Sequence, residues 1–288
     1  MDMYLSGNAQ LYLGDCLKIL PQLETESIDL TITSPPYDNL RSYDGYIDAF
    51  QFEPIANELF RVTKSGGAIV WIIADATIKG CETLSSFKQA LYFKSIGFNV
   101  ETMIYEVDGT GAKGSNYYYW QSFEYMFILS KGAIKVHNLI RDKKNIAFGT
   151  RKNKTPKSER LGTRKMRKNI ITSKYGIRTN IWRYHVGQNG GDITEHPAPF
   201  PEALARDHIL SWSNSNDIIF DPMMGSGTVG KMAIKHNRSF IGIEINPKYF
   251  AIAQRRIDIA MKLQPSISLF EKPKPKIHQN SLFIKENK

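Results

Sequence analysis

The stretch DIIFDPMMGSGTVGKMAIKHNRSFIGIEINPKYF, residues 217–250, constrains the fold more than any other. Strand-like residues 217–220 lead into Asp221, a turn with glycines at 225 and 227, and a helical run over Gly227–His236. A second apolar strand, 239–245, follows before another helical run begins at Pro247. A strand, a helix and a strand joined by short turns pair their strands in parallel, with the helix crossing one face. Parallel sheets are covered on both faces, so the chain must supply more helices than this unit holds.

The rest of the chain supplies them. Leu11–Leu13 and Leu30–Thr33 read as short strands, with a helical turn around Cys16–Leu23 between them. Phe52, Ile55, Ala56, Leu59 and Phe60 recur at helical spacing. Lys64–Gly67 then reads as a turn and the apolar run 68–73 as a central strand. A helix over Leu84–Ile96, stopped by Gly97, precedes strands at about 98–107 and 122–131, and Pro201–Trp212 and Pro247–Leu263 read as helices. Strands alternating with helices predict an α/β fold, a mostly parallel sheet with helices on both faces.

The alternation stops in the middle of the chain, where charge takes over. The whole sequence of 288 residues carries a net +10. Residues 141–178 hold fourteen Lys and Arg against Asp142 and Glu159, a net +12, while the other 250 residues hold 24 basic and 26 acidic, a net −2. One segment therefore carries the whole excess. Either it is a solvated insertion, or its concentrated cations bind a polyanion by releasing counterions, which is the preferred expectation. The expected organisation is an α/β part at 1–132, a basic insertion at 133–191, a second α/β part at 192–263, and a Pro- and Lys-rich, poorly ordered tail at 264–288. No run of about 18 apolar residues predicts a membrane span, and the N-terminus lacks the features of a signal peptide. Cys16 and Cys81 are too few for a disulfide framework or a thiolate metal site. A cytoplasmic protein without a metal is expected.

Two motifs carry chemistry. Gly225 and Gly227 let a ligand approach the backbone at the carboxyl end of a strand. Glu244 ends the next strand about 20 residues later, where a carboxylate accepts hydrogen bonds from two ribose hydroxyls. The loop has too few glycines for a dinucleotide and lacks the Gly-Lys-Ser/Thr that cradles a triphosphate. Asp221 would repel a phosphate and suits a cation, either the ammonium of an amino acid or a sulfonium. The second motif, SPPY at 34–37, ends the strand 30–33, because prolines cannot donate ladder hydrogen bonds. Its plain alternative is a tight turn with a surface tyrosine.

Together, SPPY and DPMMGSGT resemble the S-adenosylmethionine-dependent amino-methyltransferases of DNA. The order is that of their β group, with the catalytic motif first, the target-recognition region in the middle and the cofactor motif last. GDCLKIL (14–20) is similar to the motif whose acidic residue, here Asp15, lies beside the adenine. HPAPFPEALARDHI (196–209) resembles the helix that closes over the methionine end, and SFEYMFILSKG (122–132) resembles a late strand motif. The resemblance implies a Rossmann-like class I methyltransferase sheet with an inserted basic target-recognition region. It implies S-adenosyl-L-methionine held by Asp15, Cys16, Ser34, Pro199, Phe200, Asp221, Pro222, Gly225, Ser226, Gly227, Thr228 and Glu244. Catalysis falls to Ser34, Pro35, Pro36 and Tyr37. A base amino group is a poor nucleophile because its lone pair is delocalised. Accepting hydrogen bonds from both amino protons at Ser34 Oγ and the Pro35 carbonyl would let the nitrogen pyramidalise, and positioning supplies much of the rate. A duplex base must first be flipped out, with Tyr37 as its stacking platform. The implied partner is double-stranded DNA, met by Arg41 and by Arg151, Lys152, Arg164, Lys165, Arg167 and Lys168. A cognate restriction endonuclease is a second candidate partner, and a monomer and a homodimer both fit.

Family members with Ser before the prolines mostly methylate cytosine at N4, and those with Asp mostly methylate adenine at N6, so N4 of cytosine is the expected target and N6 of adenine the alternative. Cytosine C5 chemistry needs a cysteine nucleophile, usually after proline, whereas Cys16 follows Asp15 and Cys81 follows Gly80. Protein glutamine methylation uses Asn before Pro-Pro-Tyr and the reverse motif order. A non-enzymatic DNA-binding protein would need no cofactor pocket.

Overall fold

The structure, a computed structural model, describes residues 2–36, 50–108, 119, 121–149, 151–152, 170–185 and 201–263. Its strands are β1 (Asp2–Ser6), β2 (Ala9–Leu13), β3 (Ile28–Thr33), β4 (Thr63–Ile73), β5 (Thr77–Ile78), β6 (Cys81–Glu82), β7 (Asn99–Asp108) and β8 (Phe123–Ser130). After these come β9 (Lys143–Lys144), β10 (Arg151–Lys152), β11 (Ile170–Ile171), β12 (Tyr175–Gly176), β13 (Ile181–His185), β14 (Ile218–Asp221) and β15 (Ser239–Glu244). The helices are α1 (Cys16–Ile19), α2 (Phe52–Val62), α3 (Ser85–Ser95), α4 (Glu202–Trp212), α5 (Thr228–Lys235) and α6 (Pro247–Leu263).

Among the described residues, nine strands form one sheet in the order β1-β2-β15-β14-β3-β4-β8-β7-β13. β8 runs antiparallel to β4 and β7, and β1 antiparallel to β2, while the other neighbours are parallel. The two α/β parts of the chain interleave. β14 and β15 lie between β2 and β3, so the strand that ends in Ser-Pro-Pro runs beside the strand that ends in the glycine loop.

Burial explains the layering. Ile55, Ala56, Leu59 and Val62 of α2 and Phe93 of α3 pack with Ile69, Trp71 and Ile73 of β4, alternate residues that share one face of the sheet. Trp71 is fully buried and donates its Nε1 hydrogen to Gln89 Oε1 at 2.8 Å, and its ring meets Phe52 and Phe93 edge to face. On the other face α5 packs between α4 and α6 and against β14 and β15.

Three features differ from the sequence expectation. Lys64–Gly67 is not a free turn but part of β4, where the register against β3 shifts between the pairs Ile28–Thr63 and Leu30–Ala68. Gly66, at φ +84°, provides the left-handed residue that this bulge needs. β1 is an additional strand, joined to β2 by the two-residue Gly7-Asn8 turn with Gly7 at φ +55°. Residues 181–185, within the segment read as basic insertion, form β13 at the sheet edge beside β7. The chain divides into two compact units, Met1–Asn138 with Ile181–Lys288, and Leu139–Asn180. No helix among the described residues is long and apolar enough to cross a membrane.

Candidate active site

A cavity opens at the carboxyl edge of the sheet, where β14, β3, β15 and β2 end side by side. Asp15, Cys16, Ser34, Pro36, Asp221, Pro222, Gly225, Ser226, Thr228 and Glu244 line it, together with Thr33, Met223, Ile245, Asn246 and Tyr249. Strand order brings the Ser-Pro-Pro motif and the glycine loop to one place although they are about 190 residues apart in sequence.

Asp221 ends β14 and is buried. Its Oδ1 accepts hydrogen bonds from Thr33 Oγ1 at 2.8 Å and from the Met223 backbone N–H at 3.1 Å. Among the described residues it meets no cation. Burial pushes its carboxyl up to about 7, with the Glu244 charge adding to the rise and the two hydrogen bonds opposing it. A buried carboxylate without a counterion fits a positively charged ligand and disfavours a phosphate. The structure thus accommodates a sulfonium or ammonium on chemical grounds.

Glu244 ends β15. Its Oε2 accepts from Gly225 N–H and its Oε1 from Asn246 N–H, both at 2.8 Å. Burial raises its carboxyl above the ordinary value, against the pull of those backbone donors. A carboxylate has about four acceptor sites, so two neighbouring hydroxyls can still be received. Gly225 takes φ +51°, which frees its N–H for Glu244.

Gly227 does not line the cavity. It sits at φ +74° on the far side of the loop, where a Cβ would lie 2.8 Å from Ala253 Cβ of α6. Its requirement is close packing of loop on helix. Asp15 caps α1, with Oδ1 accepting from Leu17 N–H at 2.9 Å. Gly14 N–H bonds the Glu244 carbonyl at 2.9 Å and ties this turn to β15. Burial, then the Asp15 charge, pushes the Cys16 thiol up to about 12, so it lines the cavity as a neutral group. Ser34 is half-buried and lines the cavity, whereas Pro35 is buried and does not. Tyr37, Arg41, Arg164, Lys165, Arg167, Lys168, Pro199 and Phe200 lie outside the described residues. The backbones of Arg151 and Lys152 form β10.

Sequence reasoning missed the support beneath the glycine loop. Arg256 of α6 is buried, and its Nη1 donates to Ser226 O at 2.7 Å, Ser226 Oγ at 3.0 Å and Thr228 Oγ1 at 3.0 Å. Its Nη2 reaches Glu202 of α4, which also takes the Lys231 ammonium at 2.7 Å. Helices α4, α5 and α6 thereby hold the loop from behind. Helical spacing marks Arg256 only as a polar residue, so no sequence signal singles it out. Thr33 was also missed, since its role depends on which strand lies beside it.

The chain matches the family N6_N4_Mtase, DNA methylase, over residues 28–255, and it belongs to that family. Its cofactor is accordingly S-adenosyl-L-methionine and its substrate DNA. The chain is 50% identical over 252 residues to the orphan methyltransferase M.BamHII of Bacillus amyloliquefaciens, covering 85% of this chain and 90% of that protein. It is 28% identical to the DNA adenine methyltransferase YhdJ of Escherichia coli (strain K12), covering 86% and 82%. The solved PvuII DNA methyltransferase (cytosine-N4-specific) superposes with a TM-score of 0.65 at 22% identity, covering 88% and 87%, and so shares the class I methyltransferase fold.

Proposed function

We propose that this chain methylates N4 of cytosine in double-stranded DNA at a specific site, acting on a base flipped out of the helix. The observation that supports this most is the shared cavity: the Ser34 turn at the end of β3 opens onto the same space as Asp221 and Glu244. When bound, S-adenosyl-L-methionine supplies an electrophilic methyl group. Asp221 would face its cationic end, and Glu244 its ribose hydroxyls. Met223, Ile245 and Tyr249 offer the apolar surface that a purine ring needs.

Ser34 Oγ, which lines the cavity, accepts a hydrogen bond from the target amino group, which concentrates its lone pair on nitrogen. The Pro35 carbonyl, buried and outside the cavity lining, would have to turn toward the base to accept the second. The proline pair holds the Ser34 acceptor rigid, so little reorganisation is needed there. Ser34, rather than a carboxylate, suits cytosine N4. The 28% identity to a protein named as a DNA adenine methyltransferase favours the second reading, N6 of adenine. The test is to incubate the protein with unmethylated chromosomal DNA and isotopically labelled S-adenosylmethionine, then to analyse the nucleosides by mass spectrometry. Labelled N4-methyl-2′-deoxycytidine is expected. Labelled N6-methyl-2′-deoxyadenosine alone would replace the cytosine assignment.

A further inference from the structure

Residues 139–149 and 151–152 run antiparallel to residues 170–180. Lys143 pairs with Gly176 and Lys144 with Tyr175; further on, Arg151 pairs with Ile171 and Lys152 with Ile170. Backbone hydrogen bonds extend the pairing: Arg178 N to Ile140 O at 2.9 Å, Asn145 N to Lys174 O at 3.0 Å and Gly149 N to Thr172 O at 3.1 Å. The two short ladders form one two-stranded ribbon.

The ribbon carries a bulge. Between the ladders the first strand advances from Lys144 to Arg151 while the second moves only from Tyr175 to Ile171, so three extra residues stand out on one side. Two of them fall in the turn at 146–149, closed by Phe148 N to Asn145 O at 3.2 Å, between the bonds Asn145 N to Lys174 O and Gly149 N to Thr172 O. This turn holds Ile146 fully exposed and Phe148 60% exposed. Around it Arg141, Lys143, Lys144 and Lys174 are exposed, while Asp142 is paired with Arg178.

A lone two-stranded ribbon buries too little to be stable in water by itself. Large apolar side chains displayed among cations match a partner with an anionic rim and an apolar interior. Duplex DNA has both, in its phosphates and in the base edges and thymine methyls of the major groove. Two strands about 4.8 Å apart, with their side chains, fill a groove about 12 Å wide. The major groove of an RNA duplex is too narrow and deep to admit them.

We propose that this ribbon enters the major groove of the DNA substrate, with Lys143, Lys144 and Lys174 on phosphates and the bulge residues Ile146 and Phe148 against base edges. The assignment rests on the chain acting on DNA and names the part that reads it. The test uses the full chain and two 30-bp duplexes, one carrying the site mapped by methylation and one without it. The double variant Ile146→Ser/Phe148→Ser is expected to bind the site duplex about ten-fold more weakly with the wild-type salt dependence, and so to lose discrimination. Lys143→Ala/Lys144→Ala is expected to weaken both duplexes alike and to lower the slope of log affinity against log salt by about two. Guanine N7 atoms within the site, protected from dimethyl sulfate by wild type, should become reactive with the serine pair. Unchanged melting temperature and S-adenosylmethionine binding show that the variants fold. A wild-type chain that modifies no DNA defeats the functional reading. Wild-type methylation with unaltered site affinity and footprint in the serine pair defeats the ribbon assignment alone.

Discussion

Asp221 should make cofactor affinity depend on pH. In the free protein its carboxyl is pushed up to about 7 by burial. A cationic ligand stabilises the ionised form and lowers that value, so binding releases a proton and grows tighter as pH rises toward 7. Below that point only the ionised fraction is ready to bind: about a tenth at pH 6 and about a hundredth at pH 5. Affinity for S-adenosylmethionine should therefore fall about ten-fold per pH unit below 7 and level off just above it. Titration calorimetry between pH 5.5 and 7.5, in two buffers of different ionisation enthalpy, reads both the affinity and the released proton. Asp221→Asn keeps an acceptor for Thr33 and Met223 but cannot ionise, so it should bind weakly with no slope. A wild-type affinity that is flat across this range, or an Asn variant that keeps the slope, refutes the placement of the ligand's positive charge against Asp221. The same shift acts on the free fold. The folded state holds this proton more tightly than the unfolded chain, so Asp221's contribution to stability is complete at acid pH and is lost as pH rises through about 7. Asp221→Asn should remove that decline in chemical denaturation measured from pH 4 to 8.

Ser34→Ala removes one acceptor for the target amino group and should lower kcat by about ten- to a thousand-fold with little change in KM for DNA, by analogy with a lost oxyanion-hole donor; single-turnover methyl transfer checks it, and a wild-type rate excludes the role. Gly227→Ala places a Cβ 2.8 Å from Ala253 Cβ at φ +74° and should destabilise the fold by about 1–3 kcal/mol in denaturant melts. Arg256→Met removes the clamp on Ser226 and Thr228 without touching the cavity, and should weaken S-adenosylmethionine binding about ten-fold while the variant remains folded; unchanged affinity would make the clamp purely structural.

The individual helices and strands were legible from residue pattern alone. Apolar spacing fixed the helices over α2, α5 and α6, and the run 68–73 could only be a buried strand. The proline pair after Thr33 and the glycines after Asp221 marked two strand ends, and the count of charges located the basic segment. Each of these signals lies within a few residues of its cause. Which strands become neighbours emerges only in the folded sheet. Nothing near Thr33 announces that β14 will lie beside β3, because that pairing is settled by how the whole sheet buries its two faces. Only that pairing puts the Thr33 hydroxyl on Asp221 and buries the carboxylate deeply enough to raise its proton affinity. The same holds for Arg256, an ordinary polar residue on its helix until α4, α5 and α6 pack together and aim it at Ser226. The sequence likewise showed a basic segment, but its ribbon and the bulge at Ile146–Gly149 follow from a register between strands about 30 residues apart, which the cations alone do not specify.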